Sequence, residues 1–324
     1  MHLVIGANEF LGRHVAEALR AGDVPVMELA ASADDPTLAD AVARSEIVIH
    51  CVQSWSPGTR LGYRRRVPRV LERAVSAAKS ARIRRLVHVS SADVLGSDPK
   101  ARITEKTIPQ PTYAYEKLRL FEEEWLLDEA GDDLEVVIVR PTRLFGEGED
   151  WMLPHLMAAA MRGRVWLPNG GRSRQGFIAA EDVGRACLAA SDRGRPRHRY
   201  LVNGFESSWR DLVVAAARAV GFAVDVGAIP SDLFFVRALV RETLIPYGRS
   251  VWPGTFAIDV LSRQRSYDDS HSRRELTWSP SVGSFDQDLP AMARWLSQIP
   301  EVAAAIAASP ADTEGMGATS PPGR

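Results

Sequence analysis

Tyr113 and Lys117 stand four residues apart in the stretch Pro-Thr-Tyr-Ala-Tyr-Glu-Lys, which opens a helical run and follows the segment Val-His-Val-Ser-Ser. On a helix, positions i and i+4 share a face, so the phenol of Tyr113 and the ammonium of Lys117 are predicted to enter one cleft. A free tyrosine has a pKa of about 10, and a fixed cation beside it favours the phenolate. Such a pair exchanges protons near neutrality. A Tyr-x-x-x-Lys match alone is weak, because helix surfaces carry these pairs by chance and a solvated helix start is the plain alternative.

The elements around the pair give it context. Residues 2–5 read as a buried strand, 6–12 as a glycine turn and 13–20 as a helix with Val15, Ala16 and Leu19 on one side. Further strands are predicted over 24–30, 46–52, 85–89 and 135–139, the third strand having the continuous apolar character of a parallel sheet. Helices are predicted over 67–81 and from Tyr113 onward, so strand and helix alternate through the first half. Beyond Gly146 the pattern changes: 151–162 reads as a helix, 168–171 as a turn and 177–190 as strand then helix. Residues 231–245, with Arg237 and Arg241, are followed by Trp252 and Phe256; they form either a core helix pair or a wall of a substrate cleft. The expected fold is α/β, a Rossmann-type doubly wound parallel sheet with a smaller, interleaved C-terminal substrate domain. The boundaries are 1–150 and 176–205 for the dinucleotide-binding part, 151–175 and 206–307 for the substrate part, and a flexible tail rich in Ala, Ser, Pro and Gly over 308–324.

Bulk properties exclude several functions. Among 324 residues, Lys plus Arg number 40 against 41 Asp plus Glu, giving a net charge of -1 and no field that draws in nucleic acid or an anionic membrane. The basic runs at Arg64 to Arg66 and Arg82 to Arg85 read as solvated edges. Cys51 and Cys187 lie singly in apolar runs, which argues against a disulfide framework and a metal knuckle. No metal site is expected. Met1 leads directly into an apolar strand and no run reaches membrane-span length, so a cytoplasmic protein is expected, with no membrane partner.

Taken in order, Gly6-Ala-Asn-Glu-Phe-Leu-Gly12, Ile47-Val-Ile-His50, Ser90-Ser-Ala-Asp-Val-Leu-Gly96, Arg140-Pro-Thr-Arg-Leu-Phe-Gly146, Phe177-Ile-Ala-Ala-Glu-Asp-Val183 and Arg273-Arg-Glu-Leu-Thr-Trp-Ser-Pro280 are a set of motifs spread along nearly the whole chain. The set resembles the extended short-chain dehydrogenase/reductase family, which includes nucleotide-sugar epimerases and dehydratases and 3-beta-hydroxysteroid dehydrogenase-like enzymes. The resemblance implies that Ser91 holds the substrate oxygen, that Tyr113 moves the proton, and that Lys117 supports the phenolate and contacts a cofactor ribose. It implies a nicotinamide cofactor, NADP or NAD, against Gly6, Asn8, Glu9, Phe10, Leu11, Gly12 and Arg13, with Pro141 shaping the turn toward the nicotinamide. A homodimer through two helices is implied as well.

Departures from the family pattern refine the expectation. Glu9 stands where the family has its middle glycine, and its carboxylate is expected to swing outward from the diphosphate. The second strand ends in Leu29-Ala-Ala-Ser32 without the acid that selects NAD, and Arg13 could accept a 2'-phosphate, which gives a slight lean to NADP. Asp34 or Asp35 would contact adenine or cap the short helix at 36–43. Dehydratases carry an acid pair where this chain has Ala92 and Asp93, and sugar-nucleotide members tend to carry an arginine where Gln175 stands. The expected activity is therefore an NAD(P)-dependent ketone reductase or alcohol dehydrogenase acting on a small, fairly apolar substrate. Met152, Leu153, His155, Leu156, Phe234, Phe235 and Trp252 are possible pocket residues or plain packing. The alternatives are an epimerase or dehydratase, or a cofactor-free enzyme using Tyr113 and Asp93, or a binding protein.

Overall fold

The computed structural model describes residues 1–30, 32, 36–52, 68–96, 102–244 and 252–308. The expectations for Asp34, Asp35, Arg64 to Arg66 and the tail beyond 308 lie outside these residues.

The first half builds the expected parallel sheet. Its elements are β1 (His2–Ile5), α1 (Phe10–Ala21), β2 (Val26–Leu29), α2 (Leu38–Ala43), β3 (Ile47–His50), α3 (Arg69–Ala81), β4 (Arg85–Val89), a two-residue β5 (Arg102–Ile103), α4 (Ala114–Ala130) and β6 (Glu135–Pro141). The strands β1, β3 and β4 are buried at every position, because helices cover both faces of the sheet. After β7 (Arg143–Phe145), α5 (Leu153–Ala160), β8 (Arg164–Pro168), β9 (Arg174–Ala179) and α6 (Ala180–Arg193), the chain returns to the sheet with β10 (Arg199–Val202). The sheet has six strands in the order β10-β6-β4-β3-β1-β2. From β1 the order runs outward both ways, so a crevice opens beyond the strand ends between β1 and β3. α1 and α6 bury Leu11, Val15, Val183 and Ala186 against one face, and α2, α3 and α4 bury Leu38, Leu71, Val75 and Leu126 against the other.

The remaining chain is β11 (Phe205–Ser208), α7 (Trp209–Ala219), β12 (Asp225–Ile229), α8 (Ser231–Leu244), α9 (Thr255–Ser262), β13 (Ser266–Tyr267), α10 (Ser270–Leu276), α11 (Leu289–Leu296) and α12 (Pro300–Ala308). It adds a three-stranded sheet, β11-β9-β7, and the pairs β12-β8 and β13-β5. A separate core of Phe145, Met157, Phe177, Trp209, Phe285 and Met292 holds this part together.

Several local expectations fail for identifiable reasons. α1 begins at Phe10, earlier than residue 13, because Glu9 is already extended at ψ 164° and the chain turns helical directly after it. Arg85 is buried rather than solvated: it sits on β4, bonds Glu135 and donates to the carbonyls of Ala190 and Ser191. α8 is not a core helix, since Leu233, Val236, Val240 and Leu244 are exposed and Ala238 is its buried residue. α10 falls within the stretch expected to belong to the substrate part, yet its Leu276 packs with Val137, Ala186 and Tyr200 beneath the parallel sheet.

Candidate active site

The turn after β1 is shaped by steric necessity. Gly6 has φ +92°, and a Cβ there would lie 3.1 Å from the backbone nitrogen of Val52 at the end of β3. At Gly12 a Cβ would lie 2.0 Å from the carbonyl oxygen of Gly6. Both positions require glycine, and together they press the first turn of α1 onto the strand end. The Glu9 side chain does not cap α1 and no acid lies in its first turn, a helix start of the kind that suits an anion. These features fit the diphosphate of a dinucleotide.

Asn8, Glu9, Phe10 and Arg13 line one wall of an open cleft of about 470 Å³. Glu9 is thus one of the residues at the cleft wall. Its carboxylate also acts on Cys51, whose thiol is pushed well up first by burial and then by the Cys187 and Glu9 charges. Leu11 is fully buried under α1, so only its backbone is available to a cofactor. Arg13 packs against Gly148, where a Cβ would lie 2.1 Å from its guanidinium, rather than reaching to the end of β2. Pro141, at the end of β6, lines the cleft as expected, next to Thr142.

The pair read from the sequence is not the one the cleft receives. Tyr113 is the residue before α4, 7% exposed, with its ring 5.1 Å from Phe256 and the Arg263 guanidinium 5.5 Å away. Lys117 is exposed on the outer face of the helix. Neither lines the cleft; Tyr115 does, with Ser90. One helical turn beyond Tyr115, the fully buried Arg119 places its guanidinium 5.5 Å from the Tyr115 ring and donates to the Val52 carbonyl at 3.3 and 3.4 Å. The register is set by the inward face of α4, on which Arg119, Glu122, Glu123 and Leu126 are all buried.

Ion pairs fix that register. Glu123 accepts from Ser90 Oγ at 2.5 Å, from Arg140 at 2.9 and 2.5 Å, and from Arg199 at 3.0 Å. At the start of the helix, Glu116 accepts the Thr112 and Tyr113 N–H groups and the Arg263 guanidinium at 2.6 Å. Buried carboxylates this fully paired make the helix position costly to change. Ser91, at the end of β4, accepts the Asp93 N–H at 3.1 Å, and its hydroxyl proton can be directed elsewhere.

Asp93 does not act as an acid here. It is buried and accepts from Arg143 and Arg265, with Arg263 3.9 Å away. Burial alone would raise its pKa, but the three guanidiniums outweigh that and hold it well below the usual carboxylate range. Its lone pairs are directed at Arg143 and Arg265, and it does not line the cleft. Gln175 is buried and donates to the Val260 carbonyl, while Arg174 is engaged by the Glu206 carbonyl, so this strand presents no free cationic anchor to the cleft.

The opposite wall is aromatic. Trp151 and Phe256 line the cleft and stack with centroids 5.6 Å apart, and Tyr115 lies 5.7 Å from Phe256. Arg143 covers the Trp151 ring at 5.3 Å. Glu149 is buried and accepts the N–H groups of Trp151, Met152 and Leu153, which holds the start of α5 at the cleft edge. Met152 and Leu153 line the cleft; Leu156 belongs to the core, and the exposed His155 stacks on Trp252 at 4.3 Å. Among residues not singled out in the sequence, Tyr115, Arg143 and Glu149 thus line the cleft, with Arg119 buried behind Tyr115.

Comparison with known proteins gives the family and the shared fold. Residues 2–202 match the NAD dependent epimerase/dehydratase family. A ketoreductase from Stigmatella aurantiaca, described as 4-hydroxy-2-methyl-3-oxo-4-farnesyl-3,4-dihydroquinoline-1-oxide ketoreductase, is 26% identical over 308 residues, covering 86% of this chain and 92% of the relative. Sterol demethylase protein B of Methylococcus capsulatus is 28% identical over 219 residues, 63% of this chain and 64% of that protein. Among solved structures, UDP-glucose 4-epimerase of Thermotoga maritima with UDP-glucose superposes with a TM-score of 0.71 at 16% identity, covering 92% of this chain and 98% of the other. RMD from Pseudomonas aeruginosa complexed with NADPH superposes with a TM-score of 0.69 at 19% identity, with the same coverage. These two likenesses show the shared fold.

Proposed function

The chain belongs to the NAD dependent epimerase/dehydratase family and is an NAD(P)-dependent enzyme of oxidoreductase type, and we propose that it reduces an apolar ketone, or oxidises the matching alcohol, with Tyr115 as the proton-transferring residue. The carrying observation is that Tyr115, not Tyr113, lines the cleft with the buried Arg119 guanidinium one helical turn behind it. A fixed cation stabilises the negative charge that develops on a phenol as its proton leaves. Arg119 thus takes the place expected of Lys117.

When bound at the glycine turn, the nicotinamide cofactor supplies or accepts the hydride. In the reductive direction Tyr115 gives its phenolic proton to the carbonyl oxygen. Gly6, Gly12 and the α1 N-terminus would hold the diphosphate, and Pro141 and Thr142 line the cleft that would receive the rest of the cofactor. Trp151 and Phe256 supply flat apolar surface for the substrate, in line with the ketoreductase relative, whose name gives it a farnesyl-bearing substrate. The ionised Asp93 speaks against dehydration, which needs a proton donor for the leaving hydroxyl.

The reading is tested by assaying NADPH and NADH oxidation with a panel of apolar ketones. Tyr115→Phe is expected to lose roughly 10²- to 10⁴-fold in turnover while keeping cofactor affinity, and Tyr113→Phe is expected to stay within a few-fold of the parent. Loss of turnover in Tyr113→Phe with Tyr115→Phe unaffected would overturn the assignment.

A further inference from the structure

His198, just ahead of β10, and His271 and Glu275, on one face of α10, converge on a point at the far side of the sheet from the cleft. Their candidate donor atoms, two imidazole nitrogens and a carboxylate oxygen, all lie within 4.8 Å of one another. His198 Nε2 is 3.8 Å from Glu275 Oε2, and His271 Nδ1 is 3.6 Å from the same oxygen. Both nitrogens are buried and have no hydrogen-bond partner. A buried polar atom left unsatisfied costs free energy, and native structures generally supply a partner, often water or an ion. Here two such nitrogens point toward the same carboxylate.

We propose that His198, His271 and Glu275 form a binding site for a divalent transition-metal ion of the zinc type. Two imidazoles and one carboxylate are a three-ligand set that zinc accepts, with water in the fourth position. Bonds of about 2.1 Å in a tetrahedron bring donors to about 3.4 Å from one another, so small side-chain rotations close the site. The spacing of His271 and Glu275 at i and i+4 keeps those two ligands on one helix face whatever the rotamer.

One group opposes the ion. Arg195 pairs with Glu275 through both carboxylate oxygens. Its side chain is 59% exposed, so it can swing into water as the metal takes Glu275 Oε2. Exposed pairs of this kind contribute little. Tyr200 lies against His198 with ring centroids 4.6 Å apart and accepts the Arg195 N–H, which steadies the imidazole. Because His198 precedes the first residue of a parallel strand, the site lies at the opposite strand ends from the crevice. The ion would pin α10 to the edge of the main sheet and act on stability rather than on turnover.

The test is calorimetric titration of Zn²⁺ into chelator-treated full-length protein carrying no histidine tag, paired with melting curves. One saturable equivalent and a rise in melting temperature are expected. His271→Ala and Glu275→Gln should each weaken binding at least tenfold and leave ketone reduction unchanged, while Arg195→Ala should tighten it. Absence of saturable binding, or binding that the His198→Ala/His271→Ala double variant retains, overturns the proposal. So does an Arg195→Ala variant with unaltered affinity.

Discussion

The two walls of the cleft are built by different rules. The cofactor wall is local: β1, the turn and α1 are contiguous, and Gly6 and Gly12 set its geometry because a Cβ at either would lie 3.1 and 2.0 Å from backbone atoms. The substrate wall is assembled from afar, with Arg143 from β7, Trp151 ahead of α5, Trp209 from α7 and Phe256 from α9. The first wall answers to steric exclusion and the second to side-chain packing. Substitutions in the first should therefore act on binding of the dinucleotide as a whole, and those in the second on the choice of substrate.

The sharpest way to break this contrast is Gly12→Ala. Its methyl group would meet the backbone of Gly6, which cannot move aside like a flexible side chain, so the turn itself must shift. Dinucleotide affinity should fall at least 100-fold, on the order of 3 kcal/mol, with the fold confirmed by circular dichroism. Undiminished affinity would mean that the cofactor does not use this turn. Glu9→Gly should act in the opposite direction. A carboxylate about 4 Å from a phosphate charge costs roughly 1 kcal/mol when solvated and about 4 kcal/mol at an effective dielectric of about 20. Its removal should tighten binding of NAD or NADP by about tenfold or more, and glycine is a tolerated helix N-cap. Equilibrium titration with both cofactors reads the gain; a weaker variant would show that Glu9 helps to hold the ligand.

On the other wall, Trp151→Leu removes the stacking partner of Phe256 and the platform under Arg143. KM for a bulky apolar ketone should rise by about tenfold, as loss of roughly 1.4 kcal/mol of contact implies, with cofactor affinity unaltered. A fall in cofactor affinity of the same size would erase the division between the walls.

This division also explains how far the sequence could be read. The parallel sheet is legible because β1, β3 and β4 are unbroken apolar runs, and the glycine turn because its constraints lie within seven consecutive residues, Gly6 to Gly12. The sequence singles out Tyr113 and Lys117, whereas the residue of this stretch that lines the cleft is Tyr115, and the proposed pair is Tyr115 with Arg119, because two tyrosines compete within three positions. A signal was present: Lys117 shares the outer face of α4 with Glu124 and Asp128, all exposed, whereas Tyr115 shares the inner face with Arg119, Glu122 and Leu126. Glu123 completes the argument only in three dimensions, since its partners Arg140 and Arg199 come from β6 and β10. The exposed apolar face of α8 and the meeting of His198 with α10 depend on tertiary placement that no local pattern encodes.

The smallest expected effect distinguishes the two halves by their response to acid. Beneath the cofactor wall, His50 and His88 are buried side by side with Nδ1 atoms 3.2 Å apart. Burial, reinforced by the nearby Arg119 charge, pushes His50 down to about 3 from 6.5. Its folded pKa lies below its unfolded one, so the unfolded state takes up protons first and stability is lost as pH falls from about 6.5 toward 3. For His50 alone the loss at pH 6 is about 1 kcal/mol, worth roughly 2 °C of melting temperature in a chain of this size. Glu149, in the substrate wall, has the opposite sign: burial raises its pKa above 4.5, so acidification through that range relieves a cost instead of adding one. Melting curves taken from pH 7.5 to 5 should therefore flatten in His50→Gln, relative to the parent, and steepen in Glu149→Gln. If both variants track the parent, the acid response comes from neither wall, and the electrostatic part of the contrast between them is wrong.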